Sequence, residues 1–159
     1  MIIFLNGPIN AGKSTIAKLL AKELPEAALL EIDRLREMID WMPLDQTIPI
    51  NLENAVSLIR NFSNRGLNVI VPYPLSEKNY DYMADRLKDL KVKMHVFTLA
   101  PRLEKALTDR GARKLDDAEQ SRIQYHYDIG IHNPSFGETI DNSNQTPEET
   151  RDYILGKIK

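Results

Sequence analysis

The segment from Gly7 to Ser14 has the residue types and the spacing of a phosphate-binding loop. It reads Gly-Pro-Ile-Asn-Ala-Gly-Lys-Ser and matches the pattern G-x-x-x-x-G-K-[ST]. The glycines allow the backbone to turn its N–H groups toward phosphate oxygens, and a following helix adds the positive end of its dipole. We expect Lys13 to reach the β- and γ-phosphates of ATP and Ser14 to bind Mg²⁺.

The context of this loop supports the prediction. An apolar run from Ile2 to Asn6 precedes it, and a stretch from Ser14 to Leu24 with apolar residues on one helical face follows it. Without that context, Gly-Lys-Ser could simply begin a helix with a solvated lysine. The residues of this segment predicted to bind the nucleotide are Gly7, Asn10, Ala11, Gly12, Lys13, Ser14 and Thr15.

Two carboxylates follow about twenty residues after Lys13, the length of one βαβ step. Asp33 is expected to lie beside the phosphate loop, where it could accept the proton of a substrate hydroxyl as general base. The alternative is that Asp33 only caps a helix from Arg34 to Trp41. Glu31 could hold a metal-bound water, or it could be a solvated carboxylate at a strand end.

Basic residues cluster from Arg110 to Lys114, and we predict a lid over residues 110–122. A guanidinium group there would neutralise charge on the transferring phosphoryl group or stack on adenine. Arg113 is therefore a predicted catalytic residue. The alternative is a helix that ends in basic residues, which complement its dipole.

Two further regions, residues 33–50 and 72–77, are predicted to form the acceptor site. Their apolar side chains could wall a small molecule, although packing within surface loops explains them equally well. The residues predicted to contact the substrate are Asp33, Arg36, Trp41 and Tyr73. Histidines 95, 126 and 132 lack the spacing of a metal site, and we expect them to be satisfied or solvated.

These residues must be positioned by strands that alternate with helices. Apolar runs predict five strands, at residues 2–6, 27–32, 67–71, 92–99 and 138–141. The alternation predicts an α/β fold, a three-layer αβα sandwich of the P-loop NTPase kind with a five-stranded parallel sheet and a short lid. Ligands bind beyond the carboxyl ends of the strands in such sheets.

Glycine and proline mark the expected helix boundaries. We predict a loop rather than a helix from Met42 to Ile50, and a helix that Gly66 ends. Pro101 is predicted to begin a helix at its first turn, and Thr146-Pro147 to open the last one.

Composition narrows the classes of function. A length of 159 residues predicts a single domain, residues 1–159. A net charge of −2 provides no field that would attract nucleic acid or an acidic membrane. The absence of cysteine excludes disulfides, thiol catalysis and cysteine-bound zinc. We find no signal or membrane segment, and we expect a cytoplasmic protein.

Taken together, these residues resemble the small P-loop kinases, a group that includes shikimate kinase, gluconate kinase and chloramphenicol phosphotransferase. The resemblance extends over nearly the whole chain. The segments that carry it are residues 4–14, Ile32-Asp33, Met42-Pro43, residues 110–113, 140–143 and 147–149.

The resemblance implies roles for several residues. Asp33 would act as base toward the acceptor hydroxyl, and the Glu31-x-Asp33 pair would serve metal and substrate as in shikimate kinase. Adenine would stack between Arg110 and the loop before the last helix, with Asn144 and Pro147 as predicted contacts.

The strand at residues 67–71 departs from this pattern. It continues into Pro72-Tyr73-Pro74, where many P-loop enzymes have an aspartate that steadies Mg²⁺. Either Glu31 or Asp33 takes over this role, or turnover is slow, or catalysis has been lost.

The sequence therefore predicts an ATP- and Mg²⁺-dependent phosphotransferase that acts on a hydroxyl of a small molecule, with acceptor and oligomeric state left open. A nucleoside or nucleotide kinase is one alternative, in which Arg34, Arg36 and Arg60 could hold a second phosphate. A nucleotide-binding switch or regulatory ATPase with weak catalysis is another, favoured by the missing carboxylate.

Overall fold

A computed structural model of the chain describes residues 1–108 and 114–158. Within these residues five strands alternate with helices. The strands are β1 (Ile2–Asn6), β2 (Ala27–Leu29), β3 (Asn68–Pro72), β4 (Met94–Leu99) and β5 (Glu138–Ile140). The α-helices are α1 (Lys13–Glu23), α2 (Ile32–Arg36), α3 (Leu44–Asn64), α4 (Glu77–Leu87), α5 (Leu103–Ala106), α6 (Asp117–Asp128) and α7 (Pro147–Ile158), and a 3₁₀ helix, Glu37–Ile39, follows α2.

The strands form one parallel sheet in the order β2-β3-β1-β4-β5. β1 is central, with Phe4 opposite Val71 of β3 on one side and Val96 of β4 on the other. The chain moves to one side of β1 for β2 and β3, and to the other for β4 and β5. Such a change of direction opens a crevice at the carboxyl ends of the strands, where ligands bind. The predicted five-stranded parallel sheet is confirmed.

Alternate residues of β1 enter two separate cores, because successive side chains of a strand point to opposite faces. Ile2 and Phe4 belong to one core, which includes residues of α3 and α4. Ile3 and Leu5 belong to the other, which includes residues of α1 and α7. Helices therefore cover both faces of the sheet, and the predicted three-layer αβα sandwich is confirmed.

The region around Asp33 differs from the prediction. The second strand ends at Leu29 instead of residue 32, and α2 already begins at Ile32. Ile32 is 1% exposed and belongs to the core that includes α3, which explains the early turn away from the sheet. Asp33 thus lies in the first turn of α2, whereas Glu31 occupies the capping position. The capping alternative for Asp33 is wrong.

The predicted loop from Met42 to Ile50 is also wrong, since α3 begins at Leu44 and includes Pro49. A proline at this place removes one hydrogen bond, the one that its N–H would donate to the carbonyl of Asp45. Asp45 is in the exposed first turn, where water can bind that carbonyl. Burial of Leu52 and other apolar side chains of α3 outweighs the loss.

The remaining boundaries mostly agree with the sequence. Gly66, with φ of 81°, follows the end of α3 as predicted. Thr146 and Glu149 cap α7 reciprocally: the Glu149 N–H donates to Thr146 Oγ1 at 3.1 Å and the Thr146 N–H to Glu149 Oε2 at 2.8 Å. The helix predicted to start at Pro101 starts instead at Leu103, with Arg102 in the capping position.

Candidate active site

The loop between β1 and α1 has a backbone that two glycines make possible. Gly7 has φ of 137°, and a Cβ atom there would lie 2.3 Å from the carbonyl oxygen of Leu99. Gly12 has φ of 96° and directly precedes α1. Any side chain at Gly7 would collide with the backbone of β4, so the close packing of this loop on the sheet requires glycine.

Lys13 is held against the start of the same loop. Its ammonium group donates to the carbonyl oxygens of Gly7 at 2.9 Å and Pro8 at 2.6 Å. Ser14 and Thr15 are exposed in the first turn of α1, where backbone N–H groups have no partner within the helix. The arrangement brings a cation, hydroxyls and helix N–H donors to one place, which suits a bound phosphate.

Asn142, in the turn after β5, braces the phosphate loop and was missed by the sequence analysis. It is 4% exposed, and its Nδ2 donates to the carbonyl oxygen of Ala11 at 3.0 Å. The turn-forming sequence around it gave no sign of this contact. Of the predicted adenine contacts, Pro147 lines the cavity described below, whereas Asn144 is exposed and lies outside its lining.

His126, on α6, is a second site residue that the sequence did not single out. Its Nδ1 accepts a hydrogen bond of 3.2 Å from the N–H of Ile9 in the phosphate loop. Burial, followed by the positive charges of Lys13 and Arg122, lowers the pKa of His126 to about 4. At neutral pH the ring is therefore uncharged, and because Nδ1 accepts, its proton is on Nε2. A hydrogen bond to the uncharged imidazole of His126 thus connects α6 to the phosphate loop.

A cavity of about 1230 Å³ extends from the phosphate loop across the carboxyl ends of the strands. Typical pockets for one small ligand measure roughly 300 to 1,000 Å³, so this volume can hold a nucleotide and an acceptor side by side. The phosphate loop and the turn before α7 form one end. The other end is formed by α2, the first half of α3 and the segment after β3, and α6 contributes Arg122, Tyr125 and His126.

Three of the four predicted acceptor residues line this cavity, namely Asp33, Arg36 and Tyr73. They also act on one another electrostatically. Burial raises the pKa of Tyr73 to about 12, with a further upward contribution from Asp33 and a downward one from Arg36. The Tyr73 hydroxyl is therefore protonated at neutral pH. Tyr73 directly follows β3, at the place where many P-loop enzymes have a carboxylate.

The other predicted site residues lie elsewhere. Trp41 is 76% exposed and outside the cavity lining. Glu31 is also outside it, and its carboxylate accepts a hydrogen bond of 2.6 Å from Arg34 Nε. Arg110 and Arg113 lie outside the described residues. The structure therefore joins the phosphate loop with Asp33, Arg36 and Tyr73, but not with Glu31 or Trp41.

Acidic and histidine side chains form no cluster of three or more that could hold a metal ion within residues 1–108 and 114–158. The hydroxyl of Ser14, which is exposed at the start of α1, remains the predicted Mg²⁺ ligand. In the same described part of the chain, no helix has the length and apolar character needed to cross a membrane.

The whole chain, residues 1–159, matches the family model described as chloramphenicol phosphotransferase-like protein. The chain belongs to this family. No curated protein matches it in sequence. The predicted resemblance to small P-loop kinases that include chloramphenicol phosphotransferase is therefore confirmed.

Several solved structures share the fold of this chain. The tunicamycin resistance protein of Deinococcus radiodurans is 20% identical with a TM-score of 0.74, covering 99% of this chain and 94% of that one. A gluconokinase from Sinorhizobium meliloti has 17% identity, a TM-score of 0.68 and coverages of 97% and 89%. Shikimate kinase from Aquifex aeolicus has 18% identity, a TM-score of 0.60 and coverages of 99% and 96%. The fold is that of P-loop kinases.

Asn6, at the end of β1, connects three segments around the cavity. Its Nδ2 donates to Thr98 Oγ1 at 3.0 Å and to the carbonyl oxygen of Ile131 at 3.2 Å. Its Oδ1 accepts from the N–H of Leu75 at 2.7 Å. The side chain is completely buried, so each partner depends on it. Asn6 thereby positions the segments that follow β3 and α6.

We expect Asn6→Ala to lower the free energy of unfolding by about 2 to 3 kcal/mol, because it leaves buried polar groups without partners. Urea denaturation followed by circular dichroism measures this change. Asn64→Ala is a matched control, since Asn64 is exposed at the end of α3. It should change the free energy by no more than about 0.5 kcal/mol. Equal midpoints for the two variants would contradict the role of Asn6.

Proposed function

We propose that the protein is an ATP- and Mg²⁺-dependent phosphotransferase that moves the γ-phosphate to a hydroxyl group of a small molecule. The observation that carries the proposal is that Asp33 lines the same cavity as the phosphate loop and Lys13. A carboxylate, a cation and a set of N–H donors around one space are the groups that phosphoryl transfer to an alcohol requires. Membership of the phosphotransferase-like family supports the same reaction.

The phosphate loop and Lys13 bind the triphosphate in this proposal. In the structure Lys13 is the first residue of α1, and its ammonium group donates to the carbonyl oxygens of Gly7 and Pro8 at the start of the phosphate loop. Its charge stabilises negative charge on the oxygens of the transferring group. Mg²⁺, bound through Ser14 and the phosphate oxygens, would neutralise further charge. Glu31 remains a predicted contributor to the metal site, although it is paired with Arg34 here.

Asp33 is assigned the role of general base. Its position in the first turn of α2 leaves it exposed to the cavity, where it can accept the proton of the acceptor hydroxyl and orient the oxygen toward the γ-phosphorus. Tyr73 closes the wall beside it with a protonated hydroxyl. Arg110 and Arg113 remain predicted lid residues for adenine and for the transition state. The proposal keeps three further predictions. The enzyme consists of a single domain, it acts in the cytoplasm, and it does not bind nucleic acid.

The nucleotide kinase alternative would need basic residues for a second phosphate, and two of the three candidates are engaged elsewhere. Arg34 pairs with Glu31, and Arg60 forms two hydrogen bonds of 2.6 Å with the carboxylate of Asp89. Arg36 alone of these three arginines lines the cavity. Arg122 of α6 also lines the cavity, but the arginines predicted to hold a second phosphate do not converge there, and we favour an unphosphorylated acceptor.

An acceptor screen tests the proposal. We expect unphosphorylated hydroxy compounds, drawn from antibiotics, sugars, hydroxy acids and nucleosides, to raise ADP release from ATP at least about tenfold over the basal rate, with a phosphorylated product visible by mass spectrometry. Their phosphorylated counterparts should be poorer acceptors. Preference for nucleoside monophosphates would instead support the nucleotide kinase, and ATPase activity that no compound stimulates would support the switch.

A further inference from the structure

The turn of the phosphate loop at Ile9-Asn10, which we call the loop tip, is bonded to elements that lie far away in the sequence. The N–H of Ile9 donates to His126 Nδ1 of α6 at 3.2 Å. The side chain of Asn10 donates through Nδ2 to the carbonyl oxygens of Ala106 at 2.8 Å and Thr108 at 3.0 Å. The partners are 96 to 117 residues apart along the chain. Three hydrogen bonds therefore fix the loop tip from two other parts of the fold.

The backbone of Asn10 has an uncommon conformation. Its φ is 64°, in the left-handed region that residues other than glycine rarely adopt, although asparagine tolerates it better than most. Glycine would adopt this φ without strain. The asparagine side chain therefore contributes something that glycine lacks, and its hydrogen bonds to Ala106 and Thr108 are that contribution.

The amide of Asn10 satisfies a carbonyl at the end of α5. Ala106 is the last residue of that helix, where carbonyl oxygens have no partner within the helix. Ala106 is also 0% exposed, so a donor from the protein must take the place of water at its carbonyl. The hydrogen bond from Asn10 thus stabilises the end of α5 and the loop tip together.

His126 holds the other residue of the loop tip through an uncharged ring. Burial, followed by the positive charges of Lys13 and Arg122, lowers the pKa of His126 to about 4. A charged imidazole donates from both nitrogens and cannot accept from a backbone N–H. The low pKa therefore preserves the bond to Ile9 at neutral pH.

Further contacts within the protein fix the rest of this loop. The Lys13 ammonium donates to the carbonyl oxygens of Gly7 and Pro8, and Asn142 donates to that of Ala11. The loop is thus fixed from residue 7 to residue 11. A loop that protein contacts already hold loses less conformational entropy when it binds a ligand, and its affinity is higher for that reason.

We propose that Asn10 and His126 are positioning residues for the nucleotide, which hold the loop tip in the conformation that binds the triphosphate of ATP. Both side chains act through the backbone of the loop. Asn10 therefore supports nucleotide binding by its contacts with Ala106 and Thr108. The proposal rests on the proposed function, because it requires that the phosphate loop binds ATP.

Two substitutions of nearly equal size test His126. His126→Asn keeps an acceptor at the position of Nδ1, whereas His126→Leu has none. Isothermal titration calorimetry with Mg²⁺ and the nonhydrolysable analogue AMP-PNP measures the dissociation constants. We expect His126→Leu to raise the dissociation constant about three- to tenfold, the value of one hydrogen bond, and His126→Asn to stay within about twofold of the wild type.

Gln124→Leu is the matched control on the same helix. Gln124 is exposed and does not line the cavity, so this substitution adds leucine to α6 without touching the phosphate loop. Its dissociation constant for AMP-PNP should equal that of the wild type.

Asn10→Gly tests the other half of the loop tip. Glycine keeps the positive φ and removes only the side chain, whereas alanine would add backbone strain to the loss of the hydrogen bonds. We expect the dissociation constant for AMP-PNP to rise about three- to tenfold. Asn133→Gly, at an exposed position outside the lining of this cavity, is the control and should bind AMP-PNP like the wild type.

Amide hydrogen exchange, followed by NMR, separates positioning from a general loss of structure. The amide of Ile9 should exchange faster in His126→Leu and return toward the wild-type rate in His126→Asn. The amide of Ile123, a fully buried residue of α6, should keep its rate in both variants. Faster exchange at Ile9 and Ile123 alike would indicate unfolding of α6 and would refute the positioning role.

Unchanged affinity in either His126→Leu or Asn10→Gly would overturn the proposal, and so would equal weakening by His126→Asn and His126→Leu. These results are distinct from failure of the proposed function, because binding of AMP-PNP does not require phosphoryl transfer. A wild-type protein that transfers phosphate, with variants of unchanged affinity, refutes the positioning role alone. The expected pattern of affinities without transfer to any alcohol refutes the proposed function alone.

Discussion

Replacing Lys13 by alanine should lower kcat for phosphoryl transfer about 10² to 10³-fold, the usual cost of removing one group that stabilises transition-state charge. Lys13 is the cation at the start of α1, and its ammonium group already lies against the loop that would hold the phosphates. Steady-state kinetics with saturating ATP and acceptor measure the effect. The Michaelis constant for ATP should also rise, because the lysine contacts the bound nucleotide as well.

Lys18→Ala is the matched control for this variant. Lys18 lies on the same helix, is exposed and does not line the cavity, so the same substitution removes a positive charge without touching the site. Its kcat should stay within about twofold of the wild-type value, since surface substitutions rarely matter. Near-normal phosphoryl transfer by Lys13→Ala would refute the assignment of the phosphate loop.

Replacing Asp33 by asparagine should abolish most phosphoryl transfer while ATP still binds. General bases typically contribute about 10² to 10⁴-fold to the rate, and asparagine keeps the size of the side chain but cannot take the proton. A fall in kcat of that order is expected, measured as acceptor phosphorylation by mass spectrometry. Isothermal titration calorimetry should show an unchanged affinity for AMP-PNP, because the phosphate loop is intact.

Asp45→Asn separates catalysis from helix stability. Asp33 and Asp45 both lie in the first turn of a helix, where a carboxylate interacts favourably with the helix dipole, but Asp45 is exposed outside the cavity. If loss of a first-turn charge were the cause, the two variants would behave alike. We expect transfer to be lost only in Asp33→Asn. An unaltered rate in that variant would leave Asp33 without a catalytic role.

Local sequence patterns predicted the sheet and the phosphate loop because their signals lie within short segments. Ile2 to Asn6 is an apolar run of strand length, and the glycine spacing that follows is required by backbone geometry at Gly7, where any Cβ would strike Leu99. The same holds for the cap of α7, whose residues are neighbours in the chain. Such features need no knowledge of distant contacts.

Predictions failed where long-range packing opposed a local preference. Pro49 indicated a loop, yet apolar side chains on α3 keep the segment helical through it. The strand that was expected to reach residue 32 ends at Leu29, because Ile32 is buried as part of a helix. In both places the free energy of burying side chains outweighs a modest backbone preference.

The sequence by itself determined the α/β order of elements and the phosphate loop between β1 and α1, since spacing along the chain carries that information. Tertiary structure decided which other residues join them. His126 and Asn142 contact the backbone of the phosphate loop from elements distant in sequence, and no local pattern predicted those contacts. It also decided that Glu31 pairs with Arg34 outside the cavity and that Trp41 stays in solvent. Side-chain partners depend on how helices pack over the sheet, which only the folded chain specifies.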